Sequence, residues 1–146
     1  PTPRSNAVSS YGAPCGLNYT VVNQTTISTF PIKGNVTLDL LHATNGTLFY
    51  YYSTDGINFV LVADSKKYII TNPTGENVTT SVDLSKAGAT VGSQGILQSV
   101  YLEGNNTSPT NTTLYECADI KITAEGTPPG PVANVNQSAG SINVPQ

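Results

Sequence analysis

The sequence predicts an all-β fold, an antiparallel β-sandwich, and three observations carry the prediction. Apolar and polar residues alternate at period two through most of residues 25–123. Gly, Asn and Asp interrupt the alternation about every 8–12 residues, the spacing of short strands joined by turns. No stretch reads as a helix, since the best of them, Ser85 to Ala89, is short and runs into Gly88.

Taken in order, Pro1 to Gly16 is rich in Pro, Ser and Gly and has no period. A strand is expected at Thr25–Phe30. From about Gly34 the residues Val36, Leu38, Leu40 and His42 fall on one face of a strand, with Thr37 and Asp39 on the other. Asn45-Gly46 follows, then Thr47 to Ser53 with the run Phe49-Tyr50-Tyr51-Tyr52, then Asp55-Gly56 and Ile57 to Val62. Asn-Gly and Asp-Gly supply the positive φ that both central residues of a type I′ turn need, so Gly34 to Val62 reads as a three-stranded meander. Further strands are expected at Lys67–Thr71, Val78–Leu84, Ile96–Glu103 and Thr113–Thr123. The composition changes after that. Residues 1–125 form the sandwich domain, and 126–146 form a Pro/Gly-rich linker (Pro128-Pro129-Gly130-Pro131) and an extended tail, because prolines do not join a central ladder.

Only 10% of the 146 residues are charged, against about 25% in ordinary soluble domains. Another hydrophilic coat is needed, and the sequons offer one. Asn18, Asn23, Asn35, Asn45, Asn77, Asn105, Asn106, Asn111 and Asn136 each begin Asn-x-Ser/Thr without an intervening Pro. Chance at this Ser and Thr content places about three such matches, so nine point to N-linked glycans and a secreted, extracellular protein of a cell surface or matrix. The turn at Asn45 and the loop from Asn105 to Asn111 are the favoured acceptors. Cys15 and Cys117, the only cysteines, pair in such a compartment and close a loop worth up to about 4–5 kcal/mol in the chain-entropy account. The alternative is two buried thiols.

The net charge of −3, the pI near 4.8 and six scattered basic residues leave no footprint for nucleic acid. No apolar run approaches the roughly 18 residues that a transmembrane segment needs. The chain opens at Pro1 without a signal peptide, as a mature or trimmed form would. Chemistry has few residues to draw on. A Ser-His-Asp triad has only His42, no nucleophile-elbow sequence is present, and the ligand clusters of a zinc site are missing. His42, at a strand end, and Asp119, two residues beyond Cys117 on the same strand face, are the two candidates. A hydrogen-bonded strand-end His and a capping or solvated Asp explain them equally well.

The segments Ala13-Pro14-Cys15-Gly16, Thr29-Phe30-Pro31-Ile32-Lys33-Gly34 leading to Leu41-His42, Val82-Asp83-Leu84, Val91-Gly92-Ser93-Gln94-Gly95 and Leu114-Tyr115-Glu116-Cys117-Ala118-Asp119-Ile120 resemble the fungal copper-acquisition-factor-like proteins, relatives of the lytic polysaccharide monooxygenases. The resemblance spans roughly residues 1 to 124. It implies an immunoglobulin-like sandwich, a secreted or membrane-anchored glycoprotein, and a copper site made of an N-terminal His, an internal His matching His42 and an Asp matching Asp119, which would then lie together at one end of the sandwich. Imidazole nitrogens suit Cu(II). Pro1-Thr2-Pro3-Arg4 resembles a segment that lies after the family's N-terminal His and first strand, so here the site has two of its three ligand residues. Copper is expected as a cofactor only if such a His lies upstream.

The expected function is therefore non-catalytic: a building block of a fungal surface or extracellular matrix, self-associating into an oligomer or fibre. Copper binding or acquisition is the alternative. An oxidative polysaccharide-cleaving enzyme would need the same His. A carbohydrate-binding module would use Tyr50–Tyr52, although alternation buries Tyr51 or its two neighbours. The tail after Pro131 is expected to add as a strand to a neighbouring copy, because the prolines disfavour a return onto its own domain. A flexible stalk to a wall or lipid anchor is the rival reading.

Overall fold

The structure is a computed structural model that describes residue 15 and residues 27–104, 112–126 and 142–143. Its strands are β1 (Ser28–Pro31), β2 (Lys33–Leu40), β3 (Thr44–Ser53), β4 (Val60–Leu61), β5 (Lys66–Ile70), β6 (Glu76–Asp83), β7 (Gln94–Glu103), β8 (Thr112–Thr123) and β9 (Ile142–Asn143). The expected strands are all present, the one at Ile57–Val62 shortened to β4. One 3₁₀ turn, Leu84–Ala87, stands where the best helical stretch was expected. Asp83 caps it through Ser85 N–H, and Gly88, at φ 72°, ends it.

The strands form two sheets. The larger runs β1-β8-β7-β3, with β4 and β5 both paired to the far edge of β3, and the smaller runs β6-β2-β9. Every described pairing is antiparallel except β1 with β8, which is parallel. The parallel pair follows from a corner. β1 belongs to the larger sheet and β2 to the smaller, with only Ile32 between them. Ile32 N–H donates to Thr123 O at 2.9 Å in β8, and its carbonyl accepts from Leu84 N–H at 2.8 Å just beyond β6. Pro31, lacking an N–H, sits where the chain leaves the ladder.

The inner faces follow the alternation. Val36, Leu38 and Leu40 of β2 and Val78 and Val82 of β6 meet Leu48, Tyr50, Tyr52, Leu97, Tyr101, Leu114 and Ala118 of the larger sheet, all buried. The aromatic run is thereby resolved. Tyr50 and Tyr52 point into the core, while Phe49 and Tyr51 stack on the outer face with centroids 6.3 Å apart.

The expected meander requires correction. β2 and β3 lie in different sheets, and Asn45-Gly46 is inside β3, paired to Ile69 and Tyr68 of β5. Gly46 is present for close approach, not for a turn. A Cβ there would come within 2.6 Å of both Leu102 O and the Tyr101 ring. Asp55-Gly56 does lie in the β3–β4 connection, but as part of a longer loop. The Asp55 carboxylate accepts from the N–H groups of Ile57 and Asn58, each at 2.8 Å, and from the Asn58 amide and Ser53 hydroxyl. These bonds, the Asn58 N–H foremost, hold its carboxyl well below the usual range.

The Cys15–Cys117 disulfide forms as expected, between residues 102 apart in sequence. It lies on the outer face of the larger sheet, packed with Ile96 and Phe59. On the inner face Glu116 is only 1% exposed and takes its place in the row Tyr50–Ser99–Glu116 across β3, β7 and β8. Burial pushes its carboxyl up to about 9.

The tail differs from expectation. Ile142 and Asn143 pair antiparallel with Leu40 and Asp39 of the same chain. The prolines do not prevent this, because the fifteen residues 127–141 span up to about 50 Å when extended, well beyond the length of the domain's strands.

Two predictions follow from this packing. Replacing Gly46 by Ala should cost about 1–3 kcal/mol, since backbone and a packed ring must both give way; an unchanged denaturation midpoint would contradict the close approach. Glu116 keeps its proton in the folded state to about 9, whereas the unfolded group ionises above 4.5. The native state thus binds more protons across that window, and stability falls as pH rises through it, by up to about 1.4 kcal/mol per pH unit. Glu116→Gln should flatten the profile and raise the melting temperature at pH 8 relative to wild type, with the gap closing near pH 4.5. Parallel profiles for the two proteins would refute the buried neutral carboxyl.

Candidate functional site

The chain changes sheet between β2 and β3, and this crossing places His42 at one end of the larger sheet. Its Nδ1 lies 3.2 Å from Ala43 O, and its Nε2 lies 3.8 Å from Glu103 Oε2 at the end of β7. Thr44 Oγ1 donates to the same Glu103 oxygen at 2.7 Å. Having one proton, Thr44 must then accept from Tyr101 Oη, 2.9 Å away. A Tyr101–Thr44–Glu103 relay therefore holds the carboxylate, and the half-exposed imidazole sits beside it.

Asp119 is elsewhere. It is fully buried on β8, opposite Ile96 of β7, on the outer face that carries the disulfide. Ile96 and Glu103 are seven residues apart on β7, which is roughly 23 Å of strand. The structure thus brings His42 together with Glu103 and does not bring it together with Asp119. Among the described residues no group of three or more His, Cys, Asp and Glu side chains gathers as a metal would require. The two matched residues do not fit one copper centre. Glu103 had no signal in the sequence beyond its place at a strand end, since only the β3–β7 register carries it to the β2–β3 crossing.

The described sequons are all exposed. Asn35 and Asn77 lie on the outer face of the smaller sheet and Asn45 on β3, within a strand and not at the expected turn. The outer face between Asn35 and Asn77 is polar throughout. Ser81 Oγ donates to Asn35 Oδ1 at 2.8 Å, Thr37 and Thr79 hydroxyls meet at 2.9 Å, and Asp39 pairs in register with Asn77. Asn18, Asn23, Asn105, Asn106, Asn111 and Asn136 lie outside the described residues.

A cleft of about 570 Å³ opens beside Asn35, lined among others by Lys33, Lys86, Asp64, Asp83 and Glu125. Its charges serve the fold. Asp83 caps the 3₁₀ turn, its carboxyl lowered first by the Ser85 hydroxyl, and Lys33 reaches Glu125 at 4.0 Å in a solvent-screened pair. No described helix is long and apolar enough to cross a membrane.

A family model described as copper acquisition factor BIM1-like matches residues 1–139. No curated protein and no solved structure matches the chain.

The separation of His42 from Asp119 has a direct test. Titrating Cu(II) by calorimetry, His42→Ala should lower whatever affinity the chain shows, while Asp119→Asn, checked for folding by circular dichroism, should leave it unchanged. An equal loss in both variants would reinstate a shared centre.

Proposed function

The chain belongs to the copper acquisition factor BIM1-like family, and within that family we propose that it is a non-catalytic, N-glycosylated structural protein of an extracellular surface, self-associating through its C-terminal tail. The observation that carries the reading is the polar outer face of the smaller sheet. Two sequons, Asn35 and Asn77, stand on it, joined by a cross-strand row of hydroxyls and amides with few charges. Such a face is a poor apolar docking surface and a good support for glycans, which supply the hydration that a chain with 10% charged residues lacks. The disulfide suits an oxidising compartment.

A second reading, copper binding at a cell surface, is favoured by the family itself. In this chain His42 beside Glu103 offers one imidazole and one carboxylate, and any further donor must come from outside the described residues.

Treatment of the native protein with an N-glycosidase should lower its mass by several glycan units, and a shift of zero or one unit would overturn the glycoprotein reading. Light scattering should show an apparent mass that rises with concentration. A strictly monomeric full-length chain at high concentration would remove the self-association.

A further inference from the structure

We infer that the cleft beside Asn35 is the seat of the glycan that Asn35 itself carries, so that its innermost sugars lie against the protein and not out in solvent. The inference rests on the glycoprotein reading just proposed and adds where one glycan goes and what holds it.

The cleft is built by two cross-strand rows and a loop. On the outer face of the smaller sheet Lys33 stands opposite Asp83, and Asn35 opposite Ser81. The loop after β4 closes one side. It is pinned where Asp83 N–H donates to Val62 O at 2.9 Å, and it brings Asp64 to the lining. The 3₁₀ turn contributes Lys86, and Glu125, beyond β8, reaches across to Lys33. The volume of about 570 Å³ falls within the roughly 300–1,000 Å³ of small-ligand sites.

A sequon asparagine forms part of this wall, and its amide is already oriented. Ser81 Oγ donates to Asn35 Oδ1 at 2.8 Å, which identifies Nδ2 as the atom left for modification. The glycan bond forms at Nδ2 and replaces one of its two hydrogens, so Oδ1 keeps accepting from Ser81 afterwards. The side chain therefore holds the same orientation with or without its sugar.

The lining is mixed in kind, and this selects the occupant. Lys33 and Lys86 only donate, whereas ionised Asp64, Asp83 and Glu125 only accept. A simple anion or cation would meet like charge on one side of the cleft. Sugar hydroxyls both donate and accept, and so answer both kinds of group. The covalent bond does the rest. A short tether holds the sugar at an effective concentration in the mM range, so contacts too weak to capture a free saccharide are populated. Asn77 is the internal comparison. It lies four residues from Ser81 on β6, roughly 13 Å of strand away, opposite Asp39 and outside the cleft lining.

The test is timed N-glycosidase digestion of the folded, full-length glycoprotein, with each site read by peptide mass after release in heavy-oxygen water. Asn35 should lose its glycan at least tenfold more slowly than Asn77, and the two should be released alike once the protein is denatured. Asp64 and Lys86 are exposed, so a doubly substituted Asp64→Ala, Lys86→Ala chain keeps the core intact. In that variant, its fold checked by circular dichroism, Asn35 should come within about threefold of Asn77. Equal release of both glycans from the native wild type refutes the docking and leaves the glycoprotein reading standing. Slow release at Asn35 that persists unchanged in the double variant also refutes it, since the shielding would then owe nothing to these cleft residues. An Asn35 peptide that carries no glycan after denaturation removes the glycan reading at this site and the docking with it.

Discussion

The placement of a single residue, Ile32, sets the rest of the fold. One peptide unit separates a strand of the larger sheet from a strand of the smaller, and its two hydrogen-bonding groups are divided between them: the N–H to Thr123 in β8, the carbonyl to Leu84 after β6. That division makes β1 parallel to β8 and starts β2 at the pole where β8 ends. With the chain direction fixed there, the alternation in β2 puts Val36, Leu38 and Leu40 against the tyrosines of β3. The same corner puts the exit of the domain and the Leu40 end of β2 at opposite poles, which gives a tail strand its direction.

The core this produces is mainly apolar, and its inner faces bring one carboxyl into it, beside Ser99. Glu116 occupies an inward position on a strand whose other inward residues are Leu114, Ala118, Ile120 and Ile122. Burial keeps it protonated, so a neutral acid and not a charge stands at this position. On the opposite face of that strand, Cys117 ties the sheet to Cys15, a long loop closure that limits the unfolded chain. The protein thus draws its stability from burial and one covalent tie.

The copper reading shows how a motif match and a site differ. Tyr-x-Cys-Ala-Asp and the strand leading to His42 identify the family correctly, and the family model spans the same region. Yet the β3–β7–β8 register sets Asp119 opposite Ile96, roughly 23 Å along β7 from Glu103, the carboxylate that His42 neighbours. Family membership follows from residues that share ancestry. Ligation follows from residues that share a point in space.

By itself the sequence determined the class of fold, the strand positions, the pairing of its two cysteines and the family, because period-two alternation and turn residues are local properties and two cysteines allow one bridge. It also limited the Tyr run to two possible orientations. What the tertiary structure alone decided was which strands share a sheet, and with it everything non-local. Asn45-Gly46 carries a turn signal, yet Gly46 answers to the Tyr101 ring and Leu102 carbonyl from a strand more than fifty residues away. The prolines after Gly126 speak against a returning tail, yet the edge of β2 offers backbone partners whose hydrogen bonds a linker of that length reaches. The reason is the same in each case. Local pattern sets which face of a strand is apolar, while its neighbours are chosen by where the chain crosses between sheets, and that crossing depends on hydrogen bonds made across the whole domain.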